Sequence, residues 1–126
     1  MEKEENDGSG KPYALDKRTE LFARQCRALV KLLPRTIGNV EDAKQLVRAS
    51  GSVGANYIEA NEALSKKDFL VRVKICRKEA KESGYFLRLL DCAEDPMGSE
   101  RDLLVKEAQE LVNIFNAIIR KSEGGQ

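Results

Sequence analysis

The chain contains no histidine and no tryptophan, and only 6% of its 126 residues are aromatic. Without histidine, no Ser–His or Cys–His pair can activate a nucleophile. The Glu-x-x-His motif that completes carboxylate-bridged metal sites in helical bundles is equally excluded. The three cysteines, Cys26, Cys76 and Cys92, stand far apart with no C-x-x-C spacing. They read as reduced, semi-buried thiols of a cytosolic protein, not as a disulfide framework. No stretch approaches the ~20 apolar residues of a membrane span. The opening MEKEENDGSGKPY lacks the apolar core of a signal peptide, so the expected location is the cytoplasm. Net charge is only +1, and any charge-based function must therefore come from local segregation.

What is present is hydrophobic and charged, at 41% and 34% of the residues, and the hydrophobic part is mostly aliphatic. Long exposed helices around a narrow core have this composition, and the length suits one domain. Residues 1–14 are polar and acidic and predict a disordered tail. Residues 15–121 form the predicted domain, and 122–126 a frayed end. A first helix, about 16 to 33, carries Leu15, Phe22, Cys26, Leu29 and Leu33 on one face and stops at Pro34. Asn39, Ser65 and Ser99 each stand three residues before an acid, which resembles a capping box and predicts three further starts. Helices of about 40 to 64, 66 to 93 and 100 to 121 follow. Their seams are Leu46, Ser50, Val53, Tyr57, Ala60 and Leu64, then Phe69, Val73, Cys76, Ala80, Leu87 and Leu90, then Leu104, Ala108, Leu111, Phe115 and Ile118. Short links between such helices predict an all-α, up-down-up-down four-helix bundle with coiled-coil-like packing.

The second helix is unusual away from its seam. Arg48, Ser52, Ala55 and Glu59 lie roughly opposite it, and two of these four are small. Small residues where long charged ones are usual predict that something packs closely there. Arg48, Ser52, Ala55, Asn56 and Glu59 are therefore the candidate subunit interface of a homo-oligomer. Off-seam apolar residues, Ile75, Phe86 and Leu89 on helix three and Leu103 and Ile114 on helix four, agree with assembly.

From Arg48 to Ala60 the chain reads R-x-S-G-S-x-G-A-N-Y-x-E-A, followed closely by S-K-K-D-F. From Lys78 to Leu90 it reads K-E-A-K-E-S-x-Y-x-L-x-L-L. These stretches resemble a family of small bacterial four-helix-bundle proteins related to those encoded in intervening sequences of the large-subunit (23S) ribosomal RNA gene. The likeness runs from about Leu15 to Ile119. It implies a ring-shaped homopentamer and a link to structured RNA. It also implies kinship with accessory subunits of retroelement reverse transcriptases.

The run Ser50-Gly51-Ser52-Val53-Gly54-Ala55-Asn56 lacks the ending of a P-loop and no strand precedes it. Close helix packing over small residues is the better account. Glu59-x-x-Glu62 and Glu79-x-x-Glu82 are paired carboxylates, but all four lie off the predicted seams, and Glu59 is expected to pair with Arg48 or a neighbouring subunit. Neither a metal, a cofactor nor enzymatic activity is expected.

Charge segregation is the remaining signal. Helix three carries eight basic residues against Asp68, Glu79 and Glu82, a local excess of +5. Lys67, Lys74, Arg77, Lys78, Lys81 and Arg88 cluster on one flank, the footprint of phosphate-backbone binding. Helix one adds a smaller row, Arg24, Arg27, Lys31 and Arg35, on the diagonal of the bundle. The resulting expectation is non-catalytic binding of nucleic acid by a homo-oligomer, with structured RNA as the ligand the resemblance implies. The alternative is a protein–protein adaptor or scaffold, such as an accessory subunit of a nucleic-acid-processing complex.

Overall fold

The computed structural model describes residues 15–124; the expected acidic tail and the last two residues of the expected frayed end lie outside the described residues. Four helices follow one another: α1 Leu15–Leu32, α2 Ile37–Asn61, α3 Lys66–Leu89 and α4 Met97–Glu123. Helix α1 packs on α2 and α4, and α3 packs on the same two, with no backbone contact across either diagonal. The links are too short for anything but antiparallel neighbours. The expected four-helix bundle is therefore the observed one, and among the described residues it contains no strand.

The helical period sets the core. Leu15, Phe22, Cys26, Leu29 and Leu33 are all buried along α1. They meet Leu46, Val53 and Ala60 of α2, Val73, Cys76, Ala80 and Leu87 of α3, and Leu104, Leu111, Phe115 and Ile119 of α4. Tyr57 and Phe115 meet across the diagonal with ring centroids 6.3 Å apart. Two seam positions differ from expectation. Leu64 is 97% exposed, because α2 ends at Asn61 and the helical period no longer applies beyond it. On α4 it is Ile119 that is buried, with Ile118 half-buried at the edge of the core.

The helix ends differ from the capping pattern in instructive ways. Ser65 caps α3 as expected, its Oγ accepting the Asp68 N–H at 3.0 Å. Helix α2 instead starts at Ile37 and is capped by Thr36, whose hydroxyl accepts the Asn39 N–H at 3.0 Å. Asn39 is buried within the first turn. Its amide nitrogen donates to the carbonyls of Pro34 at 2.9 Å and Asp91 at 2.8 Å. Its amide oxygen accepts the Asp91 N–H at 2.8 Å. One side chain thus ties the α1–α2 link to the chain leaving α3. Helix α4 starts at Met97 with Pro96, not Ser99, as its N-cap, and Asp95, one residue before the cap, turns its carboxylate onto the first turn, accepting the Ser99 N–H at 3.1 Å and hydroxyl at 2.9 Å. Helix α3 ends at Leu89, four residues early, where Arg101 donates to the carbonyls of Leu87 and Leu90 at 3.2 and 2.9 Å. Such end carbonyls have no partner within their own helix.

The glycine-containing run lies inside α2 and serves packing, as expected. A Cβ on Gly54 would sit 2.8 Å from Thr19 Oγ1 of α1. That hydroxyl is itself fixed by donating to the Asp16 carbonyl at 3.0 Å. The glycine lets α1 and α2 approach.

Candidate nucleic-acid interface

Lys67, Lys74, Lys81 and Arg88 recur every seven residues on α3, a spacing that drifts only ~20° per repeat around a helix. They therefore form one outward row, with Arg77 and Lys78 beside it. The structure leaves Lys67, Lys74, Lys78, Lys81 and Arg88 exposed and Arg77 half-buried. Two of the six are engaged with α4. Lys74 Nζ lies 2.9 Å from a carboxylate oxygen of Glu123, and this hydrogen bond holds the Glu123 carboxyl below the usual carboxylate range. Arg77 donates to the Asn116 side-chain oxygen at 2.8 Å. Lys67, Lys78, Lys81 and Arg88 form no ion pair among the described residues. Arg120 of α4 is exposed close to this flank; sequence reading missed it, although Arg77–Asn116 places the two helices side by side.

The acids of α3 do not neutralise this row, because they turn toward α2. Arg48 of α2 spans both carboxylates of Glu79-x-x-Glu82, at 3.4 Å to Glu79 and 2.9 Å to Glu82. This corrects two expectations. Arg48 pairs with α3 rather than with Glu59, and Glu79 is buried, only 6% exposed, rather than off the core. Helical spacing alone misplaced Glu79, since the α2–α3 seam is wide enough to admit a carboxylate matched by a guanidinium. The pair Glu79 and Glu82 is thus an anchor for a cation on the protein. Among the described residues, no group of three or more His, Cys, Asp or Glu is placed to hold a metal.

Of the five candidate interface residues, two are engaged within the chain. Arg48 holds α3, and Asn56 bridges the Ser52 carbonyl at 2.9 Å and Arg72 of α3 at 3.0 Å. Ser52 is half-buried, whereas Ala55 and Glu59 are exposed. The row on α1 is separate from that on α3, as the diagonal requires. Arg24 pairs with Glu20 at 2.9 Å, and Arg27 reaches the α2 backbone at the Val47 carbonyl, 3.4 Å away.

A further surface was only partly foreseen. Between α1 and α4 runs a groove of about 640 Å³ lined by Leu21, Phe22, Ala28, Leu32 and Leu103. Arg18 and Glu107 close it on one side through two hydrogen bonds of 2.7 and 2.9 Å. Leu21, Leu32 and Leu103 are 53%, 61% and 66% exposed. Leu103 stood out in the sequence, but Leu21 and Leu32, eleven residues apart and on one helical face, were the missed signal. The cysteines are free, and burial pushes the thiols of Cys26 and Cys76 up to about 12.

Fold and surface together define a class: an all-α four-helix bundle with a cationic row along its third helix. Within it, residues 14–117 match the 23S rRNA-intervening sequence protein family, and the chain belongs to that family. The stretches from Arg48 and from Lys78 that carried the resemblance lie inside the matched region. A crystal structure of a protein with unknown function from the S23 ribosomal protein family from Bacteroides thetaiotaomicron VPI-5482 is similar to this chain. The two share 28% identity and a TM-score of 0.72 over 84% of this chain and 98% of that one. No curated protein matches. Among the described residues, no helix is long and apolar enough to cross a membrane.

Proposed function

We propose that this protein is a non-catalytic, cytoplasmic nucleic-acid-binding bundle that works as a homo-oligomer, a ring of five, and holds structured RNA against the outer face of α3. The observation that carries the reading is the exposed row Lys67, Lys78, Lys81 and Arg88, left without ion-pair partners among the described residues while the acids of α3 face Arg48. Such a row contacts phosphates regardless of base sequence. The family's description supports RNA as the ligand. Tyr85, half exposed and held edge-on against Phe86 at 5.1 Å, is the one aromatic beside the row, so stacking contributes little.

The test is binding of nuclease-treated protein to a structured RNA and to duplex DNA at ~50 and ~200 mM salt, the range over which phosphate contacts weaken steeply. The expected result is binding that fades with salt and favours RNA. Lys78→Glu, Lys81→Glu and Arg88→Glu together should lower affinity by at least ~10-fold through lost phosphate contacts while the helical content stays unchanged. Affinity that survives this triple reversal removes the row from the site.

A second reading, a protein adaptor, is favoured by one observation: Val71, Tyr85 and Leu89 are exposed apolar residues on the same helix. Absence of any nucleic-acid binding at low salt, with capture of a defined protein abolished by Leu89→Asp, is the outcome that would select it.

A further inference from the structure

Between α1 and α2 lies a cleft of about 420 Å³. Arg24, Arg27 and Lys31 of α1 line it, together with Ala28, Val30 and Val47. The α3 row looks outward on the α4 side, where Lys74 meets Glu123 and Arg77 meets Asn116. With α1 beside α2, α3 beside α4 and neither diagonal in contact, the two cationic surfaces occupy opposite faces of the square.

The cations of the cleft are not cancelled where they stand. No carboxylate lines it. Glu20 compensates Arg24 at 2.9 Å, and Glu41 takes Lys44 of α2 at 3.4 Å. Arg27 and Lys31 form no ion pair among the described residues. Arg27 is instead laid on the backbone, donating to the Ala23 carbonyl at 3.2 Å and the Val47 carbonyl at 3.4 Å. Neutral carbonyls fix the guanidinium without cancelling its charge, and most of its N–H groups stay open to a ligand. Gly51 makes room for this seat. A Cβ there would stand 3.2 Å from Arg27 Nη2, and glycine is otherwise a poor residue for a helix interior. The dipole at the end of α1 accounts for Lys31, which lies in the last turn. It gives no reason for Arg24 and Arg27, which lie farther in.

We infer that the α1–α2 cleft is a second phosphate-binding site, which takes the backbone of a second RNA segment on the face opposite the α3 row. This rests on the proposed RNA binding and deepens it, since one bundle then holds two segments apart. Arg27 and Lys31 stand one helical turn apart, ~6 Å of rise, so each can meet a different phosphate. The planar fork of arginine suits two phosphate oxygens, and the lysine adds a point charge. Val30 and Val47 give the sugar an apolar wall to lie against. Such contacts hold the backbone without reading its sequence.

The test is binding of the full chain to a structured RNA at ~50 mM salt, where phosphate contacts are strong. The cleft variant carries Arg27→Glu and Lys31→Glu, and the row variant Lys78→Glu, Lys81→Glu and Arg88→Glu. A control, Lys106→Glu with Lys121→Glu, makes the same charge change as the cleft variant at exposed positions of α4 outside both surfaces. Circular dichroism checks that helicity is kept; should the cleft variant lose it, Arg24→Gln with Lys31→Gln takes its place. The cleft variant is expected to lose at least ~5-fold in affinity and the control less than ~2-fold. The row variant should keep a residual, salt-sensitive binding that adding the cleft substitutions removes. Bound RNA should also shield Lys31 from acetylation, as read by mass spectrometry. A cleft variant that binds like the control overturns the second site and leaves the α3 row in place. A row variant with no residual binding, and a Lys31 that RNA does not shield, overturn it as well. A row variant that binds like wild type while the cleft variant does not removes the α3 reading and keeps the cleft. A wild-type chain that binds no RNA overturns both.

Discussion

Asn39 turns its whole side-chain amide onto the backbone of two links, satisfying the Pro34 and Asp91 carbonyls and the Asp91 N–H. Because it is buried, its loss would take away the partner of the Asp91 carbonyl and N–H, while the Pro34 carbonyl would keep the Thr36 N–H at 3.0 Å. Asn39→Ala should therefore destabilise the protein by about 2–3 kcal/mol, read from urea denaturation. A cost below ~0.5 kcal/mol would mean that the links find other partners. The cysteines provide a chemical readout at the same scale. Cys26 and Cys76 have thiols raised to about 12 by burial, whereas Cys92 is only half-buried, its thiol raised with desolvation again the main cause. Under native conditions a thiol reagent should label Cys92 first and the other two only after unfolding, as mass spectrometry would show. The pH dependence follows in sign. The folded thiols hold protons that the unfolded chain releases nearer 9, so stability should fall as pH rises from 9 toward 12. Each buried thiol contributes up to ~1.4 kcal/mol per pH unit over that window. A flat alkaline stability curve would contradict the burial.

At the scale of the element, α2 shows how one helix type can serve different contacts along its length. Gly54 meets Thr19, and an added Cβ would lie 2.8 Å from a hydroxyl already held by the Asp16 carbonyl. Gly38, in the first turn, has nothing within 4 Å of the place a Cβ would take. Alanine favours a helix over glycine by up to ~1 kcal/mol, so the two sites should respond oppositely. Gly38→Ala is expected to raise the melting temperature slightly, by about 0.5 kcal/mol of stability. Gly54→Ala is expected to lower it, with overpacking of about 1–3 kcal/mol outweighing the propensity gain. Equal effects at both positions would show that α1 can move away from α2 at little cost. Much of this level was legible in the sequence: the number and order of the helices, their seams and the Ser65 cap all follow from local rules. The other two starts lie three residues earlier than expected: Asn39 is drawn into bonds with Asp91 and leaves the cap to Thr36, and Ser99 sits inside the first turn of α4 as a donor to Asp95.

At the scale of the molecule, a net charge of +1 coexists with a row of cations because opposite charges are sorted onto different edges. Four row residues without described ion pairs should release about four counterions per chain on duplex DNA. The slope of log affinity against log salt is then roughly −3 to −4 per subunit engaged. A slope near zero would show that the row does not touch phosphate. Assembly should steepen it, since several rows can engage one ligand.

Local chemistry, readable along the chain, set the four helices, their inner faces, the antiparallel order, the family and the cationic row, because each depends on spacing within one helix or on links of a few residues. Partner choice across helices was decided by packing. The capture of both Glu79 and Glu82 by Arg48, the binding of two links by Asn39 and the opening of the groove between Leu21 and Leu103 each join residues distant in sequence. Helical periodicity gives the direction of a side chain from its own axis. The reach and rotation of the neighbouring helix, set when the core closes, determine what that side chain meets.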